Sequence, residues 1–433
     1  MPYSPPSTPT SPSPAPSPLV VGVDLTAAGA RPGVHRARGI VQPRSFDAER
    51  FVQLVRSADG GGLDLVTLDE GFLLHPGRRQ VTGRLDAAVA AARVAPHTTR
   101  TGLVAAVDTA HVDPAHVAQA VARVDQASSG RAGWSVGLPA GAVVQDDAWA
   151  AQARGVAAQV VRHWDGLASG VTGGAGDTAG AVAVDDEGRF RVDHDGIRFA
   201  VRRHRPPEGR AGGGVAGRGA DGHQDGETRQ GRPPVVVSVR SEAALDLAAR
   251  TADVVRVAAT APARAVRLCS RLRDAAEAAG RDPDTLRVLT EAYVVLAEDR
   301  ASAQARLELV EALEGPEISG GLLVVAGTPD DLAETIVDWR DAGASDGFLL
   351  RPSSLGPDLD ALVDGVLPRL VRDGVRAVAS PAPRTLRATL GLPDVGPAAA
   401  PADAVSAVVA PAPAHARPRA RAGRAGDPRL VRA

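Results

Sequence analysis

The sequence predicts an α/β protein built as a TIM (β/α)8 barrel with a long insertion after its fourth helix. Short runs rich in β-branched residues alternate with longer segments whose apolar residues recur at helical spacing. Eight such strand–helix units can be counted along the 433 residues. A doubly wound sheet usually has fewer strands, so this count favours the barrel, in which the loops that follow the strands carry the chemistry.

The first four units precede residue 168. Their predicted strands are residues 19–25, 63–68, 101–108 and 132–136, and their predicted helices are residues 46–58, 86–95, 114–127 and 147–167. In the third helix, Pro114 suits a first helical position, because the N–H that proline lacks has no partner there. Val117, Val121 and Val124 recur on one face of that helix, as expected for a helix that packs on a sheet.

The other four units follow the insertion. Their predicted strands are residues 234–239, 254–258, 286–297 and 346–350, and their helices are one beginning at Ser241 and residues 261–279, 300–313 and 359–370. Ser241 followed by Glu242 suits a helix start, because a hydroxyl can accept a backbone N–H and an acid complements the helix dipole. An additional strand (322–326) and helix (329–342) lie between the last two units.

Composition divides the chain into a domain and two ends. Glycine and proline make up nearly a fifth of the residues. A Ser/Pro-rich head (1–18) and an Ala/Pro/Arg-rich tail (396–433) have no periodic apolar face and are predicted to be disordered. Residues 19–395 are predicted to form the barrel domain, which a Gly-rich insertion interrupts at about residues 168–232.

Several classes of function are excluded by residues that the chain lacks. It has no lysine, which excludes P-loop phosphate binding, Schiff-base chemistry and pyridoxal enzymes. Its single cysteine, Cys269, excludes an internal disulfide and a cysteine-based zinc site. A formal net charge of −2 indicates no nucleic-acid partner. With no apolar run of about 20 residues and no leader pattern, we expect a cytoplasmic protein with no membrane association.

Motifs for other chemistries are weak. GGAGDTA at residues 173–179 matches a dinucleotide fingerprint formally, but no strand precedes it, so a loop is the better interpretation. Ten histidines show neither HExxH nor paired metal-ligand spacing, so no metal site is predicted. No GxSxG is present. The acidic residues at 185–187 are typical of a solvated turn.

One long segment carries a specific family resemblance. Residues 99–136, TRTGLVAAVDTAHVDPAHVAQAVARVDQASSGRAGWSV, resemble the luciferase-like flavin-dependent monooxygenases, in particular their nitrilotriacetate/dibenzothiophene-sulfone monooxygenase branch. Asp125 and residues 129–134 match that branch in register. Other blocks match in the same order, including LDLVTLDE at 63–70, HDGIRFAV at 194–201, RQGRPPVV at 229–236 and TLRATLGLP at 385–393. Together they cover about residues 19–395.

The resemblance implies a barrel enzyme that receives reduced FMN from a separate NAD(P)H:flavin reductase. Such an enzyme uses O2 to insert one oxygen atom into a small organic molecule, here an organosulfur compound, an amine or a secondary metabolite. The protein binds and orients the flavin, holds the substrate and excludes water. We also expect a homodimer or homotetramer.

Six residues match positions that contact FMN in the family, although no catalytic residue can be named. They are Asp69, Asp108, Thr109, Ser135, Arg240 and Ser241. Ser135 stands where the family has asparagine, and Val239 stands where its phosphate loop has glycine. The alternative, structural roles are a cap of the following loop for Asp69 and a solvated loop position for Arg240, and both stay open.

Two other functions also stay open. A barrel that has lost flavin affinity would be a non-catalytic binding protein. The departures at Ser135 and Val239 favour it, as does the absence of the family's His/Tyr pair near residues 146–150, where Trp149 is the only aromatic residue. A reductase that uses deazaflavin in the same fold is disfavoured, because the closing block at residues 385–393 belongs to the FMN branch.

Overall fold

The computed structural model describes residues 18–26, 48–69, 71–73, 82–84, 86–109, 112–137, 146–168, 189–194, 197–202, 228–314, 321–378, 380 and 382–395. Strands in these ranges are numbered in chain order. They are β1 (Val20–Asp24), β2 (Leu65–Leu68), β3 (Gly71–Leu73), β4 (Thr82–Arg84), β5 (Gly102–Asp108), β6 (Ala132–Gly137), β7 (Arg189–His194), β8 (Ile197–Arg202), β9 (Val235–Val239), β10 (Val254–Val257), β11 (Arg287–Leu296), β12 (Leu323–Gly327) and β13 (Gly347–Pro352).

Helices connect the parallel strands. The α-helices are Ala48–Gly61, Ala87–Val94, Pro114–Ala127, Asp147–Ala168, Glu242–Thr251, Pro262–Ala278, Arg300–Glu314, Pro329–Asp341, Pro357–Ala361, Leu367–Arg372 and Leu386–Thr389, with 3-10 turns at Ala95–His97 and Pro283–Thr285 and a π-helical turn at Leu362–Val366. Within the described ranges, no helix is long and apolar enough to cross a membrane.

Eight of the strands close into a parallel barrel, as the sequence predicts. Its order is β1-β2-β5-β6-β9-β10-β11-β13, and β13 returns to β1 with Val20 beside Gly347. The pairing of Val254 with Arg287 completes the wall between β10 and β11. Because the carboxyl ends of parallel strands meet at one end of a barrel, every loop that follows a strand opens at the same rim.

The barrel wall is apolar on both faces at its amino-terminal end. The faces that point outwards pack against the helices in one large cluster that includes Val21, Val23 and Phe348. The faces that point inwards form a separate cluster whose strand members are Val20, Leu65, Val104, Val236, Val254, Leu289 and Leu349. Strands that are buried on both sides have continuous apolar runs, which explains the pattern that predicted them.

The short helix Leu386–Thr389 and the residues after it close the amino-terminal end of the barrel. Leu386, Leu390 and Leu392 join the cluster inside the barrel. A Cβ atom added at Gly102 would overlap Leu386, so this strand begins with glycine where the closing segment enters. Arg287 Nε donates to the Leu390 carbonyl at 2.9 Å and ties the segment to β11. We call residues 385–392 the plug.

Most predicted elements are confirmed to within about two residues, and three features differ. The predicted helix 359–370 consists of two α-helices joined by a π-helical turn, since Pro368 has no N–H to continue a single helix. Two antiparallel strand pairs, β3–β4 and β7–β8, were not predicted. The second pair lies inside the insertion, where the Gly-rich sequence around it obscures the strand pattern.

The additional strand β12 extends the wall beyond β10. It pairs with residues 292–296 of β11, whereas β10 pairs with residues 287–290 on the same edge. The predicted loop at 173–179 and the predicted turn at 185–187 lie outside the described residues.

Candidate functional site

The inside of the barrel changes from apolar to charged towards the carboxyl ends of its strands. Side chains on one face of a strand alternate, so Leu289 is followed on the inner face by Glu291, and Leu349 by Arg351. Ion pairs and charge interactions join six residues here, which we call the mouth cluster: Asp24, Asp69, Arg240, Arg256, Glu291 and Arg351.

Glu291 is the centre of the mouth cluster. Its carboxylate has no solvent exposure. Arg240 lies 2.8 Å from Oε2 and Arg256 Nε lies 3.1 Å from Oε1, while the Ser238 hydroxyl donates to Oε1 at 3.3 Å. Burial by itself would raise the pKa of Glu291, but the neighbouring guanidinium groups lower it to about 2. Glu291 is therefore ionised and balances buried positive charge.

Arg256 is the most enclosed arginine of the mouth cluster. Burial by itself would lower the pKa of its guanidinium, but the carboxylates of Glu291, Asp69 and Asp24 raise it above its ordinary value. A fixed charge at this depth needs a partner, and removing that partner would leave the charge unpaired in a dry environment.

Asp24 and Asp69 join the ends of the first two strands through Thr26. The Thr26 hydroxyl donates to Asp24 Oδ1 at 2.6 Å and accepts from the backbone N–H of Asp69 at 3.0 Å. Burial raises the pKa of Asp69, and the nearby carboxylates of Asp24 and Glu291 raise it further, against the opposing effect of Arg256 and Arg351. The Asp69 carboxyl consequently holds a proton more readily than an ordinary aspartate.

The residues predicted from the sequence lie on one arc of the rim. The four strands β2, β5, β6 and β9 are consecutive around the barrel. Asp69 follows β2, Asp108 and Thr109 end or follow β5, Ser135 belongs to β6, and Arg240 follows β9. Ser135 is in register with Ala106, one step deeper than Asp108, which pairs with Gly137. The structure thus brings these candidates to the same side of the mouth.

Two threonines on that arc have buried hydroxyls without a partner. The Oγ1 atoms of Thr109 and Thr67 make no hydrogen bond to the described residues, and both side chains are almost fully buried. An unpaired buried hydroxyl costs about 1–3 kcal/mol, so such groups suit a polar ligand. The carbonyl and N–H edge of a flavin ring fits this requirement. Thr67 was not among the predicted site residues, although it lies two residues before Asp69 on the same face of the strand.

Arg240 and Ser241 have different surroundings at the start of the helix Glu242–Thr251. Ser241 caps this helix as predicted, since its hydroxyl accepts from Ala244 N at 3.1 Å. Arg240 instead points into the barrel towards Glu291, and Val239 is buried in the packing around the barrel. A phosphate at this helix start would therefore share Arg240 with Glu291.

Trp149 is a further donor next to the same arc. It lies in the first turn of the helix Asp147–Ala168, which follows β6. Its Nε1 is buried and has no hydrogen-bond partner in the described part of the chain. This N–H is therefore a donor that a polar ligand next to it could use.

The motif that carries the family resemblance is structural and lies away from the rim. Asp125 accepts from Gln230 Nε2 at 2.6 Å and from Ala132 N at 3.3 Å. Arg131 donates to the carbonyl oxygens of Thr101 and Thr98 at 2.6 and 2.9 Å. These contacts fix the loops that precede β5 and β6, so this motif identifies the fold rather than the chemistry.

Comparison with known proteins gives one family and several relatives. A family model described as luciferase-like monooxygenase matches residues 25–316. Nitrilotriacetate monooxygenase component A of Aminobacter aminovorans is 25% identical, over 77% of this chain and 87% of that protein. Dibenzothiophene-sulfone monooxygenase of Rhodococcus erythropolis is 23% identical, over 74% and 84%. The solved structure of EDTA monooxygenase from Chelativorans sp. BNC1 has the same fold, with a TM-score of 0.66 at 21% identity over 88% of this chain and 100% of that one.

Proposed function

Because the chain belongs to the luciferase-like monooxygenase family, we propose that it is the oxygenating component of a two-component monooxygenase. It would use reduced FMN and O2 to oxygenate a small organosulfur compound, amine or secondary metabolite. The resemblance predicted from residues 99–136 is confirmed by the family match and by the nitrilotriacetate and dibenzothiophene-sulfone relatives. The FMN, the substrate and the reductase belong to the proposal.

The observation that carries the proposal is the buried, unpartnered hydroxyl of Thr109 at the end of β5. A hydroxyl at the rim of a barrel without a partner is what a flavin ring edge would satisfy. Thr67 supplies a second such hydroxyl on the same arc. Asp69, at the end of the neighbouring strand β2, would be a further polar contact of the ring, and burial raises the pKa of its carboxyl.

The phosphate end of FMN would lie at the start of the helix Glu242–Thr251. Backbone N–H groups at a helix start favour an anion, and Arg240 and Ser241 lie beside them. Reduced flavin supplies the reaction with O2, and the chain's own residues bind the ring, orient it and keep water away from it.

A separate reductase is proposed because the chain offers no dinucleotide fingerprint after a strand. The relative from Aminobacter aminovorans is itself named as one component of a system, which supports the same arrangement here. With a flavin reductase, NADH and FMN, the protein should transfer oxygen to a substrate, whereas NADH alone should not suffice.

Replacing Thr109 by valine tests the proposed flavin contact. Thr109→Val keeps the shape of the side chain and removes its hydroxyl, so we expect reduced FMN to bind about five- to tenfold more weakly, the equivalent of about 1–1.4 kcal/mol. Anaerobic fluorescence titration measures this change. The matched control is Thr389→Val, in the plug at the opposite end of the barrel.

Two results would contradict the proposal. Equal affinity of Thr109→Val and the unchanged protein would remove Thr109 from the flavin site. If the unchanged protein shows no saturable affinity for reduced FMN up to about millimolar concentration, which corresponds to only some 4 kcal/mol, the enzymatic function fails and the non-catalytic binding protein is favoured instead.

A further inference from the structure

We propose that Arg351 binds the anionic group of the substrate, so that the site selects small organic molecules that carry a carboxylate or sulfonate. This proposal rests on the proposed function, because it assumes that the flavin occupies the arc from β2 to β9 and that the substrate binds in the same site.

Arg351 lies between carboxylates on the two strands that flank β13. Its Nε lies 3.1 Å from Asp24 Oδ2 and its NH1 lies 3.8 Å from Glu291 Oε2. Neither contact meets the geometry of a hydrogen bond, and the buried Nε has no hydrogen-bond partner among the described residues. The two carboxylates therefore anchor the guanidinium by charge, and its Nε makes no hydrogen bond to them.

The rest of the Arg351 side chain faces the mouth of the barrel. About a third of it (31%) is exposed, whereas the carboxylates that anchor it are 4% and 0% exposed. A guanidinium offers a planar pair of N–H donors that matches the two oxygens of a carboxylate or sulfonate. The accessible part of this ion-paired group is thus a donor surface suited to an oxyanion.

The position of Arg351 favours the substrate over the cofactor. Arg351 belongs to β13, which lies between β1 and β11, on the side of the barrel opposite β6. The candidate flavin residues belong to or follow β2, β5, β6 and β9. Ser353, two residues after Arg351, has a buried hydroxyl without a partner in the described ranges and offers a second donor on the same side.

Arginines outnumber carboxylates among the ion-paired residues of the mouth cluster. Glu291 is paired with Arg256 and Arg240, and Asp24 with Arg351. The pKa of Asp69 is raised by burial and by neighbouring carboxylates. The ion pairs of the mouth cluster thus join three guanidinium groups to two carboxylates, and the oxyanion of a substrate would be a further acidic partner for them.

Calorimetric titration of the full-length protein tests this inference with defined probes. Succinate and methanesulfonate carry the anionic groups, and succinamide is the neutral counterpart of succinate. We expect saturable binding of both anions and none of succinamide. Arg351→Gln should weaken anion binding at least tenfold, Arg351→Lys should restore part of it, and Arg264→Gln, on the exposed face of the helix Pro262–Ala278, should change nothing.

Reduced FMN is titrated in the same variants, which separates this inference from the proposed function. Arg351→Gln should still bind reduced FMN saturably, with a smaller loss of affinity than its loss for the anions. Equal binding of succinate and succinamide, or unchanged anion binding in Arg351→Gln, would overturn the anion site even where FMN binds. If Arg351→Gln does not fold, the test uses Arg351→Lys. The anion site would then be overturned if this variant binds the anions as well as the unchanged protein does and succinamide binds too. Loss of FMN binding alone would contradict only the proposed function.

Discussion

At the scale of single residues, Glu291 both stabilises the fold and holds the arginines of the candidate site in place. Its buried carboxylate is shared by Arg256 and Arg240 in the middle of the buried strand β11. Removing one partner of a buried ion pair leaves the other charged and unsolvated, which is more costly than losing an exposed pair. The site at the mouth therefore depends on this residue without requiring it to touch a substrate.

Replacing Glu291 by glutamine should lower stability and change its dependence on pH. The folded pKa of Glu291, about 2, lies below its ordinary value of 4.5, so its contribution is fully present above about pH 4.5 and is lost as the pH falls towards 2. That shift corresponds to about 3 kcal/mol of unfolding free energy at pH 7. Urea unfolding at pH 7 and pH 3 should show a smaller acid-induced loss in Glu291→Gln than in the unchanged protein.

The exposed Glu277→Gln provides the comparison for this measurement, because it makes the same chemical change outside the barrel. We expect it to leave the acid-induced loss as it is in the unchanged protein. If Glu291→Gln and the unchanged protein lost the same stability between pH 7 and pH 3, the ion pairs inside the barrel would not stabilise the fold.

The sequence predicted one side of the site better than the other. Asp69, Thr109 and Arg240 could be located because they follow predicted strands and match family positions. Arg256 and Glu291 lie inside strands, where the continuous apolar runs do not reveal which face points inwards. A charged residue within such an apolar run does indicate a buried ion pair, because a charge is costly to bury without a partner. Which partner it finds depends on strands far apart in the sequence.

The plug is the element whose role the sequence did not reveal. The block TLRATLGLP indicated only a family resemblance, because its short helix has too few residues to show a periodic apolar pattern. In the structure, Leu386, Leu390 and Leu392 complete the cluster inside the barrel. By contrast, the elements of the wall were predictable, because each repeats the same local alternation of strand and helix.

Shortening one leucine of the plug should destabilise the whole barrel. Leu386→Ala would leave a cavity among side chains from several strands, so we expect a loss of about 2–5 kcal/mol in unfolding free energy. Chemical denaturation measures it, with Leu309→Ala as the control because that leucine is about half exposed (49%). A loss no larger than that of the control would show that the plug packs loosely against the barrel.

At the scale of the whole molecule, the barrel and its number of strands were predictable, and the strand register that closes it was not. Counting eight repeated units led to the barrel, and the observed strand order agrees with it. The register that closes β10 on β11 and β13 on β1 depends on packing inside the barrel, which no local pattern contains.

Deleting residues 1–18 and 396–433 together should leave the melting temperature within about 2 °C of that of the full chain. The reason is composition, because neither end has an apolar face that could add to the core. Differential scanning calorimetry of the shortened and full-length proteins makes the comparison. A fall of 10 °C or more would mean that one of the ends belongs to the folded domain.

The closing of the barrel by its last strand and plug affects how the chain must fold while the ribosome makes it. The strand β1 leaves the exit tunnel early, but its neighbour β13 and the plug are translated more than three hundred residues later. Until then, the inner apolar cluster lacks Leu349 and the leucines of the plug, and exposed apolar surface of this kind is prone to aggregation. The native barrel can therefore close only after the final third of the message has been translated.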